Sequence, residues 1–356
     1  MKQYIRIREQ LAKYSNAHGI SGREGNIREM MKADLEGMVD TIETDSMGNF
    51  LATRKGKEGL PSIMLDAHMD EIGLMVRFID SRGFLYFVQI GGWWDPMLTG
   101  QRVLVPTTEG LLPGVIGSKP PHVMSQAERN APLDSDNMFI DMGLKSDKEA
   151  KELGIKIGTP ITMDRQMTDL RGDLVTGKAF DDRAGIVMIL EAFKRTKYEG
   201  TIYIVGSTQE EVGLKGSKTA AFALDPDVAI CADTTIPADH PGGNMIACPV
   251  ETGKGPAFVV ADGAGRGLMT NETVEKWITE TSEKNKLEIQ PEVGDGGTTN
   301  GTMVHLTKRG IPTAVISVGT RYIHSPVEVL SLADIDTAAE LIARAMESAA
   351  EYFSAK

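Results

Sequence analysis

A chain of 356 residues exceeds the length at which one hydrophobic core stops growing, roughly 250–300 residues, so two domains are expected. Its 41% hydrophobic and 25% charged residues are those of a soluble globular protein, and a net charge of −12 leaves no basic excess to neutralise phosphates, which argues against nucleic acid as a partner. Two cysteines, Cys231 and Cys248, do not make a disulfide framework, and their apolar surroundings predict buried thiols. The N-terminal stretch is charged and has no apolar h-region, and no run of about 18 apolar residues occurs, so no membrane association and a cytoplasmic location are expected.

Residues 3–17 and about 22–38 read as helices. Ser21 followed by Glu24 has the spacing of a capping box for the second. Residues 40–54 read as a strand pair around Ser46-Met-Gly-Asn. The stretch 62–70 is an apolar strand that turns polar at its end, leaving His68 and Asp70 there. From Glu71 the texture changes. Short β-type runs at 74–79, 84–90, 102–105 and 114–116 are separated by turn signals such as Asp80-Ser-Arg-Gly83 and Gly91-Gly92. One clear helix, 146–153, carries Ser146 and Glu149 as a capping box and Gly154 beyond its end. The segment 72–165 is read as a small β-rich domain inserted into a larger one formed by 1–71 and 166–356.

Beyond Asp164, strands and helices alternate. An amphipathic helix is expected over 182–196, with Ile186, Ile189, Leu190 and Phe193 on one face. A β-branched strand at 201–208 leads to Glu210 and Glu211. A helix follows at about 215–224, then a strand at 227–235, a helix at 271–285 and a strand at 313–318. The last helix starts at Ser331, with Asp334 at N3, and directs Ile335, Ala338, Ile342, Ala345, Ala349 and Phe353 inward. Such alternation predicts an α/β fold: a mostly parallel sheet with helices on both faces.

Ligands in open α/β sheets gather beyond the C-terminal ends of the strands. Those ends carry His68 and Asp70, Glu210 and Glu211, and Asp233, with His324 just past the strand at 313–318. Asp181 and Asp182 precede the helix at 182–196. Two histidines with several carboxylates suit zinc, cobalt or manganese and not a thiolate or iron–sulfur site. One catalytic zinc needs only three protein ligands. Two metals about 3.5–4 Å apart and sharing a carboxylate would use the whole set.

Five motifs, His68-Met-Asp70, Ala179-Phe-Asp-Asp182, Gln209-Glu-Glu-Val-Gly213, Ala232-Asp-Thr234 and Tyr322-Ile-His-Ser325, together resemble the tetrahedral aminopeptidases, co-catalytic dimetal peptidases. The resemblance spans essentially the whole chain and includes Gly91-Gly-Trp-Trp-Asp-Pro96, Gly100-Gln-Arg-Val103 and Lys119-Pro-Pro-His122 in the insert. It implies a zinc-peptidase-like α/β domain, an inserted β-barrel for dimerisation, and a hollow homo-oligomer, a tetrahedral dodecamer built from dimers. The implied activity is removal of N-terminal residues from short peptides. By the same resemblance Asp181 bridges two divalent ions (zinc or cobalt, with manganese possible). His68 and Asp233 complete one site, Glu211 and His324 the other. Glu210 is the general base, and Asp70 accepts the second N–H of the His68 ring. A cis peptide between Asp181 and Asp182 is also implied. Thr299 stands in Gly297-Thr-Thr-Asn300, where relatives often have Gly-Thr-Asp-Ala. That missing carboxylate bears on the pocket and not on the metal ligands.

Other readings compete. Asp182 is as well explained by helix capping as by a direct role. His18, His240 and His305 lack carboxylate neighbours in sequence and read as structural or surface residues, and His122 is more often such a residue than a site one. Trp93 and Trp94 fit packing or a subunit contact better than a binding surface. The Glu210-Glu211 pair, taken alone, would be a solvated surface feature. At the level of function, a dimetal deacylase or carboxypeptidase is the alternative. A glycosidase would leave both histidines without a purpose.

Overall fold

Four strands with almost no polar face lie side by side at the centre of the computed structural model, which describes residues 2–356. In spatial order they are Ile202–Ser207, Ile63–His68, Val228–Thr235 and Thr313–Gly319, all parallel. Parallel strands are covered on both faces, which is why they read as continuous apolar runs. Their register sets Ser207 opposite His68 and Asp233 opposite Ser317. The polar C-terminal ends are therefore level along one edge.

Two strands on each side extend this core, all paired antiparallel to their inner neighbours except Gln290–Val293, which is parallel to Ala257–Ala261. Phe50–Arg54 and then Thr41–Thr44 add to one side. Ala257–Ala261 and Gln290–Val293 add to the other, making eight strands. These last two are not expected from sequence. Pro291 argues against a strand, yet Gln290–Val293 pairs on one side only, and an edge strand tolerates proline.

Helices cover both faces. One face holds the larger core, built with Ile5–Ser15, Gly25–Leu35, Phe180–Arg195, Glu272–Asn285 and Leu332–Ser348. The other is closed by Lys215–Leu224 and Gly301–His305 over Met64, Val205, Ala229 and Val315. Phe180–Arg195 departs from its expected single apolar face. Phe180 through Phe193 are all buried, because Ile5–Ser15 and Leu332–Ser348 cover the side away from the sheet. The expected capping box of the second helix is also absent. That helix starts at Gly25, and the Ser21 hydroxyl instead donates to Asp70 at 2.5 Å. The final helix begins as read, with Ser331 Oγ accepting from the N–H groups of Ala333 and Asp334. Its residues Ile335, Ala338, Ile342 and Ala345 are buried. Cys231 is buried, but Cys248 is half-exposed, since it sits in a surface loop and not on a strand.

Residues between Gly73 and Met163 form a closed antiparallel barrel in the order Gly73–Ile79, Leu85–Ile90, Phe139–Asp141, Gly110–Gly117, Arg102–Thr107, Pro160–Met163. Pairing of Leu74 with Ile161 closes it. It has its own core, including Leu74, Phe87, Val103, Ile116 and Ile140. Asp147–Glu152 is capped by Ser146, but Glu149 accepts from Lys145 N–H, so only half of the expected box forms. A five-residue helix, Gln126–Asn130, carries a complete box from Ser125 and Glu128. It escapes the sequence reading because none of its residues is buried and no apolar period marks it.

Trp277 is the largest buried side chain. It lies edge-on to Phe353 at 5.1 Å between centroids, and its Nε1–H donates to the Ala345 carbonyl at 3.0 Å. Trp277→Ala is expected to cost about 3–5 kcal/mol, read as a lowered urea midpoint at fixed protein concentration.

Candidate metal centre and active site

His68 ends its strand fully buried. Its ring Nδ1 lies 3.0 Å from the Asp70 carbonyl oxygen and 3.5 Å from Asp70 Oδ1. The second ring N–H thus faces both the main-chain carbonyl of Asp70 and its carboxylate, the partner that the resemblance implied. The Asp70 carboxylate has further partners. Its Oδ1 accepts from Glu210 N–H at 3.0 Å, and its Oδ2 accepts from Glu211 N–H at 3.2 Å and from Ser21. Gln209, at φ +57°, turns the chain just before these two glutamates. One buried anion therefore fixes the backbone of both.

Asp181 and Asp182 sit at the start of Phe180–Arg195 with non-helical backbone angles, and the peptide between them is cis. Asp182 does two jobs. Its Oδ1 accepts from Gly185 N–H at 2.9 Å, capping the helix, and its Oδ2 accepts from His68 N–H at 3.2 Å. Gly185 makes room for this, since a Cβ there would collide with the Asp182 carboxylate. On either side of the aspartates, Lys178 and Arg183 are buried around Glu71. Lys178 Nζ donates to Glu71 Oε2 at 2.8 Å, and Arg183 donates to the carbonyls of Tyr14 and Gly19. Removing one partner of such a buried set leaves an uncompensated charge.

A second buried carboxylate works as Asp70 does. Antiparallel pairing of Leu174–Gly177 with Glu328–Ser331 sets Glu328 opposite Gly177. Glu328 Oε2 accepts from the N–H groups of Phe180 (2.6 Å) and Asp181 (3.2 Å), and Oε1 accepts from His324 N–H at 3.1 Å. Glu328 thus ties together two loops that are far apart in sequence.

The side chains so placed converge. His68 Nε2 is 3.1 Å from Asp181 Oδ1, and His324 Nε2 is 3.2 Å from Asp181 Oδ2 and 3.1 Å from Glu211 Oε2. Ligand atoms of His68, Asp181 and Glu211 fall within 4.8 Å of one another, as do those of His68, Glu210 and Asp233. Burial pushes the carboxyl of Asp233 up to about 8, with Asp181 and Glu211 adding. Burial likewise raises Glu210 and Glu211. Burial opposes charge on His324, but Asp181 and Glu211 hold its pKa up at about 11. Asp181, although buried, is held low by its hydrogen bonds to His324 and His68. So many carboxylates out of water call for compensating positive charge. Glu211 Oε1 is buried with no hydrogen-bond partner, which is what a metal ligand looks like before its ion is considered. The donor set, imidazole nitrogen and carboxylate oxygen, fits a divalent cation.

The barrel also reaches this cluster. A Cβ on Gly92 would stand 3.0 Å from His324 Nδ1, and one on Gly91 would stand 3.4 Å from Glu211 Oε2. The Gly91-Gly92 turn lets the insert close on the site. Beside it, Trp93 donates from Nε1 to Gly73 O at 3.0 Å and packs on the barrel core, while Trp94 is exposed.

All seven site residues named from the sequence (His68, Asp70, Asp181, Glu210, Glu211, Asp233 and His324) come together. His122 stands exposed in the insert, and His18 hydrogen-bonds Thr162 at 2.6 Å. Glu328, Ser21 and the group of Glu71, Lys178 and Arg183 were missed. Glu328 had a signal, four residues after His324, but a lone glutamate in a short strand gave no reason to look for a buried acceptor. A cavity of about 570 Å³ opens on the cluster and runs past Thr235 to Asp262, Glu292 and Thr299.

A parallel α/β sheet with histidines and carboxylates gathered at its C-terminal edge defines the class of a metal-dependent hydrolase. The sequence model of the M42 glutamyl aminopeptidase family matches residues 48–341, and the chain belongs to that family of metal-dependent peptide hydrolases. It is 34% identical to a lysyl aminopeptidase of Pyrococcus furiosus over 95% of this chain and 96% of the relative. Among solved structures, aminopeptidase APDkam598 from the archaeon Desulfurococcus kamchatkensis is 38% identical, with a TM-score of 0.92 over 99% of this chain and 96% of that one. The Pyrococcus horikoshii TET1 peptidase, which can assemble into a tetrahedron or a large octahedral shell, is 33% identical, with a TM-score of 0.84 over 95% and 98%.

Glu328→Gln keeps one acceptor oxygen and sets an amide NH₂ against a backbone N–H. Metal affinity is expected to fall by about 10–100-fold, as for other groups that orient ligands, measured by competition with a chelator.

Proposed function

We propose that the chain removes N-terminal residues from short peptides with the help of two divalent cations. Asp181 would be held in common, with His68 and Asp233 on one side and Glu211 and His324 on the other as the remaining residues that would hold them. One observation carries this reading: the two oxygens of Asp181 face different histidines, His68 at 3.1 Å and His324 at 3.2 Å. Zinc, cobalt and manganese all suit these donors. When bound, the cations supply Lewis-acid chemistry, acidifying water and offsetting charge on the scissile carbonyl oxygen.

Glu210 is not needed as a ligand and is the general base. Its carboxylate takes a proton from the attacking water and passes it to the leaving amine. Asp70 is a positioning residue, because it holds the backbone of Glu210 and Glu211. Asp182 and Glu328 place Asp181 and the loops around it. The family description is of a glutamyl enzyme and the P. furiosus relative is a lysyl one, so these names point to opposite charges and do not choose an N-terminal preference.

The insert is read as the dimerisation domain. Exposed apolar residues on it, among them Phe78, Trp94, Val115 and Ile157, support a subunit contact. Dimers placed on the edges of a tetrahedron, the form TET1 can take, give a hollow dodecamer. No helix among the described residues is long and apolar enough to cross a membrane, and a cytoplasmic location fits a peptidase of this kind.

Glu210→Gln is expected to lower kcat by about 10²–10⁴-fold while both metals remain, as measured by metal analysis alongside an aminoacyl chromogenic assay. Near-normal turnover in that variant would remove Glu210 from its role. N-acyl amino acids run in the same assay separate the deacylase alternative. In a peptide-length series, activity is expected to fall steeply with length if the active sites face an enclosed chamber. A monomer in light scattering would refute the assembly.

A further inference from the structure

The wall of the cavity away from the metal cluster carries two more carboxylates, Asp262 and Glu292. They come from the two outermost strands on that side of the sheet, where Glu292 pairs in register with Val259, three residues before Asp262. Neither is part of the ligand set. Asp262 accepts from the N–H groups of Leu268 (2.5 Å) and Thr299 (3.4 Å). Glu292 is only 6% exposed. Its Oε1 accepts from Thr235 Oγ at 2.6 Å, and its Oε2 has no hydrogen-bond partner.

The charge balance of the cavity is one-sided. Among the described residues, no lysine or arginine lines it. Two divalent cations would match the four carboxylates of Asp181, Glu210, Glu211 and Asp233, leaving Asp262 and Glu292 without a counterion. Burial pushes both of these carboxyls up, and Asp262 pushes Glu292 further. A buried carboxylate oxygen without a partner is costly, and an entering cation satisfies it.

We propose that Glu292, supported by Asp262, forms a subsite for a cationic side chain, so that the enzyme prefers peptides with lysine or arginine at the N-terminus. This rests on the aminopeptidase reading above and adds the substrate class. Thr299 belongs to the same wall. It carries no charge of its own, and its N–H holds Asp262 in place. An acidic N-terminal side chain would meet like charge here, and an aliphatic one would leave Glu292 Oε2 unpaired.

The test compares the metal-loaded enzyme on lysyl, arginyl, leucyl and glutamyl p-nitroanilides. Lysyl and arginyl substrates are expected to exceed leucyl by about tenfold or more in kcat/KM, with glutamyl the poorest. Glu292→Gln should lower the lysyl-to-leucyl ratio by about tenfold, chiefly through KM for the lysyl substrate. Glu292→Lys should raise glutamyl above lysyl, a reversal that mere loss of folding does not produce. A wild-type preference for leucyl or glutamyl, or an unchanged ratio in Glu292→Gln, overturns the subsite while leaving the aminopeptidase intact. Absence of turnover on all four substrates overturns both.

Discussion

Backbone N–H groups accepted by buried carboxylates hold this active site together. Asp70 takes those of Glu210 and Glu211, and Glu328 takes those of Phe180, Asp181 and His324. Neither carboxylate is itself a proposed ligand. Each joins loops that leave different strands, and together they fix the backbone under four of the proposed site residues. The same functional group thus serves as anchor or as ligand, and the difference lies in what its oxygens face. Those pointed at amides are spent on structure. Those of Asp181 and Glu211, and the Asp233 oxygen not taken by Thr234 N–H, point inward and need positive charge. Gathering these anions in a buried space is tolerable only because part of their charge is met by N–H groups and the rest by histidines or bound cations.

The cations behind the site extend the same logic. Lys178 and Arg183 flank the Asp181-Asp182 pair in sequence and are buried with Glu71, the residue after Asp70. The segment that supplies the shared carboxylate is therefore tied at both ends to the segment that supplies His68 and Asp70. On the open side, the barrel insert comes within reach of His324 through Gly91 and Gly92. The site is a joint product of the two folding units, although nearly all of its reactive groups belong to one.

Much of this was legible in the sequence because strand ends in a parallel sheet are a strong signal. Buried β-branched runs that finish in His-x-Asp, Glu-Glu or Asp place those residues on one edge before any coordinates are known. Motif order then assigned roles that spacing alone left open. What was not legible depended on partners distant in sequence. Ser21 and Glu24 have the letters of a capping box, yet Asp70 offers the serine a stronger, ionised acceptor. The inner helix read as amphipathic from Ile186, Ile189, Leu190 and Phe193 on one face, a pattern that says nothing of its polar residues Arg183 and Glu191. They are buried and paired. Gln290–Val293 was hidden by its proline, and with it Glu292, which has no motif around it.

The order of strands has one more consequence. Apart from Asp181, which sits at the start of Phe180–Arg195, the proposed ligands and base hang from the four central strands and the loops that follow them, whereas Asp262 and Glu292 hang from the pair added at one side. Reaction chemistry and substrate choice therefore occupy separate strands of a single sheet. Substitutions along that outer pair can retune which peptides are accepted without disturbing the machinery that cuts them, so a lineage built on this frame can diversify its diet while its catalytic core stands still.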